Sequence, residues 1–319
     1  MTGIHREIRI GISSCLLGEE VRYDGGHKRD DWILNILGPH VTWVPVCPEF
    51  EVGMGVPREA LRLIGHPDAP RMVTEETRID FTDRMMSYAR RRVRQLEAMG
   101  LSGYILKSRS PSCGMERVSV YTGRGAPCRR GRGLFARVLM NGFDYMPVEE
   151  EGRMADPALR ANFVEQVFCY SRWREFKEGR SSILALSDFH ERHRFLLMAH
   201  SRRHLRQLGG LVTGANGRRP GEVLDEYGRG FFEALRVLPT ARKHVISLQR
   251  ISGLFGERLE REDRQELMES IEGYRRGLLP RLIPLALLRH HARKSRVPCV
   301  QDQVYLFPDP GELMLRNDG

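Results

Sequence analysis

No stretch of the 319-residue chain approaches the roughly 18 uncharged apolar residues that a membrane helix needs, so no spanning helix is expected. The opening segment MTGIHREIRIGISSC carries charge as far as Arg9 and lacks the apolar run of a secretory leader; a cytoplasmic protein is the expectation. Low-complexity tracts and repeats of solenoid period are missing too, which leaves ordinary globular domains. There is no Cys-x-x-Cys pair, and the six cysteines are scattered. In a reducing compartment such cysteines read as thiols, metal ligands or catalytic groups before disulfides. Lysine is scarce: Lys28, Lys107, Lys177, Lys243 and Lys294 stand against 51 Lys and Arg together, so almost all cationic charge is guanidinium.

The net charge of +10 is uneven. Residues 1–151 hold 22 Lys and Arg against 20 Asp and Glu, whereas residues 152–319 hold 29 against 21, about +2 and +8. Guanidinium suits bidentate phosphate contacts and stacking on bases, so the second half is suited to a polyanionic partner; an arginine-rich solvated surface with no partner explains the composition equally well. The length is about twice that of a typical domain of ~150 residues, which predicts two domains.

In the first half, short β-rich runs at 8–12, 41–46 and 103–106 alternate with helical patterns at 32–37 and 80–99. That alternation predicts an α/β N-terminal domain with a parallel sheet. Beyond Asp156 the strand signals nearly vanish. Amphipathic patterns over 157–176, 187–208, 223–237, 240–260, 261–277 and 280–295 predict an all-α C-terminal domain. Asp156 followed by Pro157 is a good N-cap and first helical residue, and the boundary falls near 148–156, giving domains 1–151 and 152–319.

Three cysteines share one topological position. Cys15 ends the first β-rich run, Cys47 ends the second, and Cys113 follows the third in Ser108-Arg109-Ser110-Pro111-Ser112-Cys113-Gly114. In an open parallel sheet the carboxyl ends of the strands form one edge, where ligands bind, so three thiols remote in sequence can converge there. Three soft thiolates favour zinc, copper(I) or an iron–sulfur cluster. Glu49 lies two residues past Cys47, and Asp24 sits on the turn Tyr23-Asp24-Gly25-Gly26, so acid–base groups can flank the metal; a loop carboxylate and an ordinary turn residue are the plain alternatives. Cys169 falls within a helical pattern and reads as core, whereas Cys128 and Cys299 follow proline in loops without nearby Cys or His.

The set SSCLLG, RYDG, VCPE and SPSCG, in this order over residues 8 to about 150, closely resembles the thiouracil desulfidase family. The helical remainder resembles the domain fused to it in RNA 4-thiouridine desulfidases. The resemblance implies a 4Fe-4S cluster held by Cys15, Cys47 and Cys113 with one iron free of protein ligands. It implies catalytic roles for Glu49, Ser110 and Asp24, with Glu51 a competitor for the carboxylate role. The implied activity is non-redox removal of sulfur from 4-thiouridine in tRNA, giving uridine and hydrogen sulfide. An enzyme for free thiopyrimidine bases or nucleosides and a non-catalytic, zinc-stapled RNA-binding protein are the alternatives. On the first reading Arg-rich segments at 192–206, 289–296 and Arg218-Arg219 hold the tRNA, and the closely spaced His190, His193, His200 and His204 are ordinary helix residues without a Cys or carboxylate to complete a metal set.

Overall fold

A computed structural model describes residues 7–123, 126–179 and 181–317. Residues 1–6, part of the segment read above for a leader, lie outside the described residues. The chain divides into two compact units, 1–163 with 167–171, and 164–166 with 172–319.

The strands of the first unit are β1 (Arg9–Ser13), β2 (Thr42–Val46), β3 (Leu61–His66), β4 (Ala69–Thr74), β5 (Gly103–Leu106), β6 (Val118–Tyr121), β7 (Cys128–Gly131) and β8 (Val148–Glu150), with helices α1 (Thr82–Ala98) and α2 (Leu134–Gly142) between them. The expected parallel sheet is present, in the order β2-β1-β5-β8, with every pairing parallel. Its central strands are apolar runs closed off from water: Ile10, Ile12, Tyr104, Ile105 and Leu106 are fully buried. Such continuous burial is what a sheet covered on both faces requires. Gly11 pairs in register with Tyr104, and a Cβ there would come within 2.2 Å of the Tyr104 ring, so only glycine lets that ring lie across the strand. Successive strands lie on opposite sides of β1: β2 on one, β5 on the other. That is a topological switch point, where the loops leaving the strands diverge and open a crevice.

A second, mixed sheet in the order β4-β3-β6-β7 escapes the sequence reading. Its strands are four to six residues long and broken by polar or special residues, as in LRLIGH and CRRG, so neither alternation nor an apolar run marks them. Cys128, expected in a loop, opens β7; Cys299 lies exposed in a short helix, Pro298–Gln301.

The second unit is helical among its described residues. Its helices are α3 (Pro157–Glu178, contributing residues to each unit), α4 (Ile183–Arg192), α5 (Arg194–His200), α6 (Arg202–Thr213), α7 (Pro220–Leu235), α8 (Ala241–Gly253), α9 (Arg261–Arg275), α10 (Leu282–Ser295), α11 (Pro298–Gln301) and α12 (Pro310–Asn317). Asp156 caps α3 as its sequence suggests, accepting a hydrogen bond from the Ala158 amide at 2.8 Å. The single helix expected over 187–208 is three, because the chain leaves helical geometry at His193 and Ser201, and the Ser201 hydroxyl caps α6 at the His204 amide. The core is aromatic: Trp173 stacks on Tyr227 at 5.6 Å between centroids, and Phe189 meets Phe231 edge-on at 5.4 Å. Among the described residues no helix is long and apolar enough to cross a membrane.

Candidate active site

Three loops leave the carboxyl ends of β1, β2 and β5. The first turns at once into a short 3-10 segment, Ser14–Leu17, which closes at Gly18 in the left-handed region (φ 93°). The Cys15 carbonyl accepts from the Lys28 amide at 2.8 Å, which fixes the segment against the chain that returns beside it. Cys47 directly follows β2; its amide donates to Glu51 Oε1 at 3.1 Å, and its carbonyl accepts from the Glu51 amide at 2.8 Å.

The third loop is held more tightly. Ser110 Oγ accepts from the amides of Ser112 (3.2 Å) and Cys113 (3.1 Å), an ST-turn that bends the chain so that Cys113 faces back. The start of α2 then clamps it: the amides of Leu134 and Ala136 donate to the carbonyls of Pro111 and Ser112, each at 3.1 Å. Gly133 permits this approach, since a Cβ would sit 2.4 Å from the Ser112 carbonyl oxygen. Ser13, the last residue of β1, accepts from the Lys107 amide at 2.9 Å, tying β1 to the β5 loop.

Together the loops enclose a cavity of about 430 Å³ whose walls include Cys15, Cys47 and Cys113. The thiols sense one another. Burial and the neighbouring Cys47 push the Cys15 thiol up to about 12. Burial raises Cys47 as well, and Cys113 is raised well above its ordinary value by burial, with Cys47, Glu49 and Cys15 adding to it. Burial of this kind disfavours the thiolate form. The three thiols become a thiolate set only around a positively charged centre. Among the described residues no three His, Cys, Asp or Glu side chains stand close enough to hold a single metal ion. Cys15, Cys47 and Cys113 line one cavity, and three soft thiolates suit an iron–sulfur cluster.

Glu49 forms part of the same wall and is oriented from both sides. Arg58 donates to Oε2 at 2.6 Å, and the Ser112 hydroxyl donates to Oε1 at 2.8 Å, with Ser110 Oγ at 3.5 Å. The Arg58 side chain is only 5% exposed and is itself anchored on the carbonyls of Val21 and Gly55 at 3.0 and 2.9 Å. Glu51 faces elsewhere: besides the Cys47 amide it accepts from Tyr88 at 2.7 Å and pairs with Arg92 at 3.2 Å. Geometry thus separates two carboxylates that the sequence leaves in competition. Asp24 is not brought to the cavity wall. Its Oδ1 accepts from the Gly26 amide at 3.1 Å within its own turn and pairs with Arg22 at 3.3 Å, while its side chain is 47% exposed.

Several residues in or behind the wall give no signal of their role in the sequence. Arg58 is one arginine among many. Ser112 is the hydroxyl nearest to Glu49, whereas Ser110 spends its oxygen on the turn. Lys107 donates to the Ser108 carbonyl and hydroxyl, each at 3.1 Å, and is ion-paired to Glu151. Arg22, Tyr23, Lys28 and Arg109 complete the cationic, partly aromatic side, with Arg109 held in the left-handed region (φ 61°).

With this geometry in place, the comparisons with known proteins are specific. Residues 10–151 match the 2-thiouracil desulfurase family, so the match spans all three loops. The chain is also 32% identical over 108 residues to the uncharacterized protein YbbK of Bacillus subtilis (strain 168), covering 32% of this chain and 71% of that one. The chain belongs to the 2-thiouracil desulfurase family. Residues 194–310 match a second family, described as a protein of unknown function, DUF1722. The uncharacterized protein YbgA of Escherichia coli (strain K12) is 28% identical over 158 residues, 48% of this chain and 92% of that one. Among solved structures, the 4Fe-4S-dependent thiouracil desulfidase TudS is 29% identical, spanning 48% of this chain and 97% of that one with a TM-score of 0.39.

Proposed function

We propose that this protein removes sulfur from 4-thiouridine in tRNA, giving uridine and hydrogen sulfide, with a 4Fe-4S cluster held by Cys15, Cys47 and Cys113. The observation that carries the reading is the ring of three thiols around one cavity with an oriented carboxylate, Glu49, in the same wall. When bound, such a cluster supplies a soft Lewis acid at the iron without a protein ligand, which prefers thiocarbonyl sulfur to carbonyl oxygen.

The chain's own residues perform the rest. Tyr23, 42% exposed, offers a face on which a pyrimidine stacks. Glu49 takes a proton from water, whose oxygen bonds to the ring carbon that carries sulfur; the carbon–sulfur bond breaks, and the sulfur leaves with two protons as hydrogen sulfide. Water in and hydrogen sulfide out balance without any net transfer of electrons. Arg58 and Ser112 keep the Glu49 carboxylate aimed, and Ser110 maintains the turn that presents Cys113. Asp24 supports the Arg22 guanidinium beside the cavity from its turn.

Two observations favour a nucleotide within RNA over a free base. The cavity wall carries Arg22, Lys28, Arg58, Lys107 and Arg109; Arg22, Arg58 and Lys107 are paired with Asp24, Glu49 and Glu151, and Lys28 and Arg109 remain to meet phosphate. The helical unit adds exposed arginines, among them Arg192, Arg202, Arg203, Arg206, Arg218 and Arg219. The histidines of that segment play a different part. His190, His193 and His200 are buried and bonded to Tyr227, the Phe189 carbonyl and Glu165, and the half-buried His204 bonds Ser201, whereas the arginines of 192–206 are exposed. The test is an anaerobically reconstituted full chain given thiolated tRNA or free 4-thiouracil, with released sulfide measured. The reading expects faster turnover of the tRNA; release from free base alone favours a salvage enzyme for thiopyrimidines, and no release from either overturns the activity.

A further inference from the structure

α10, in the helical unit, carries a cationic feature of its own. Its sequence, LIPLALLRHHARKS, contains no acidic residue. Arg289 and Arg293 lie one turn apart on one row, His290 and Lys294 one turn apart on the next, and the four line a groove of about 420 Å³. His290, Arg293 and Lys294 are exposed, and Arg289 is half-buried at the base.

The groove is built rather than merely decorated. Arg289 is tied through its Nε to the Leu306 carbonyl, which leaves the rest of its guanidinium free to point elsewhere, and Arg293 lies over the Phe307 ring at 5.7 Å. Among the described residues no carboxylate bonds Arg289, His290 or Arg293; only Lys294 reaches one, Asp263, at 3.7 Å. Burial lowers the Arg289 pKa, and the charges of Arg316, Arg293 and Arg281 lower it further, so this cation sits in a field of its own sign. Cations in the last turn of a helix are common because they complement the helix dipole. That accounts for Arg293 and Lys294. It does not account for a half-buried arginine a turn earlier, whose charged neighbours are arginines. A row in which only Lys294 meets a carboxylate is stabilised when an anion supplies the missing charge.

We infer that the α10 groove is a phosphate-binding site that takes consecutive phosphates of an RNA backbone. Three cations, Arg289, Arg293 and Lys294, with the His290 imidazole beside them, present a line of donors along one helical turn rather than a single pocket, which suits a chain of phosphates better than an isolated one. Arg289 and Arg293 supply planar forks, His290 and Lys294 flank them, and Phe307 fixes the Arg293 plane. The inference rests on the RNA reading given above for the partner, and its test is independent of the reaction.

The experiment measures binding of the full chain to an unmodified tRNA transcript over a range of salt concentrations. The variant is R293Q/K294Q, both exposed, with H290Q as a milder second change. The control is R202Q/R203Q, which removes the same charge from α6. Thermal melts confirm that each variant is folded. The groove variant is expected to bind roughly tenfold more weakly and to lower the salt slope by about 0.7 to 0.9 for each phosphate it no longer neutralises, while the control weakens binding distinctly less. Titration of the wild-type chain with inorganic phosphate separates the two sources of the anion: millimolar phosphate should compete poorly with the transcript. Equal weakening in groove and control variants, or tight inorganic phosphate binding with unchanged tRNA affinity in R293Q/K294Q, overturns the inference. Failure of the wild-type chain to release sulfide would overturn the proposed reaction and leave this binding result standing.

Discussion

Both units bury ionisable groups, and they use them in opposite ways. In the helical unit Glu165 and His200 are 3% and 1% exposed, and they pair with each other. Arg316 joins Glu165, and Glu312 accepts from both Arg316 and Arg172. His244 bonds Tyr305 at 2.9 Å and accepts from Arg281 at 2.6 Å. Each member of that network faces another member, and it anchors α12 through Glu312 and Arg316. Around the strand ends of the first unit, the buried polar groups instead border a shared void. Three thiols line it, with Cys47 Sγ donating only a long bond to the Val21 carbonyl at 3.7 Å, and Glu49 is aimed from both sides. Burial of charge therefore does not by itself mark a site. What marks it is unspent bonding capacity directed at one volume.

The sharpest way to break this contrast is to remove one thiol from the ring. Changing Cys15 or Cys47 to Ala is expected to abolish sulfide release altogether, whereas Cys169→Ala, in the packed α3, should leave it measurable in anaerobic assays. Next in size, Glu49→Gln should lower turnover by roughly 10² to 10⁴, the usual contribution of a positioned acid or base, with iron content unchanged. Glu51→Gln should mainly lower the melting temperature, because Glu51 ties Cys47, Tyr88 and Arg92 together. A larger turnover loss in Glu51→Gln than in Glu49→Gln would reverse the assignment.

In the helical unit the same kind of change should cost stability. His200→Ala leaves the buried Glu165 with one partner fewer and is expected to destabilise folding by roughly 3 kcal/mol, read by denaturant titration. Acid should act on this unit first. Burial holds His193 and His244 well below the ordinary histidine value, helped by Arg172 and Arg281 respectively. They remain neutral in the fold while the unfolded chain takes up protons, so their contribution is full above about pH 6.5 and declines as the pH falls below it. Burial opposes the Glu165 carboxylate, but the Arg316 and His200 charges outweigh it and depress its pKa. Its contribution is present above the ordinary carboxylate value and fades below about pH 4.5. Circular dichroism melts from pH 8 to 4 should show a progressive loss of helical stability; a flat profile would break the account of the network. The smallest effect is expected at Asp24, where Asp24→Asn keeps the turn acceptor and should change turnover by no more than about twofold.

The legible part of this protein was its spacing. Cys15 and Cys47 each end a β-rich run, and a parallel sheet brings such ends to one edge, so their convergence follows from topology alone. Cys113 comes seven residues after its strand, and what turns it inward is the Ser110 hydroxyl and the start of α2, neither of which a period or a propensity encodes. The Arg58 contact to Glu49 was likewise invisible, because it joins separate loops through a side chain of the commonest charged type. Asp24 looked catalytic beside Cys15, yet an Asp two residues before Gly bonds its own turn more readily than it reaches across a cavity. The second sheet went unseen because its strands are short and carry Arg, Gly and Pro where a strand pattern wants alternation. The apolar stripe through α4, α5 and α6 hid two breaks, since helices that share a core keep the same face apolar across a bend.

The central claim is that Cys15, Cys47 and Cys113 together hold one iron–sulfur cluster. Iron and acid-labile sulfide should be counted after anaerobic reconstitution of the full chain, Cys113→Ala and the triple variant Cys128→Ala/Cys169→Ala/Cys299→Ala. The account predicts about four iron and four sulfide per chain in the first and last, and near none in Cys113→Ala. Full iron loading of Cys113→Ala, or loss of the cluster from the triple variant alone, would contradict it.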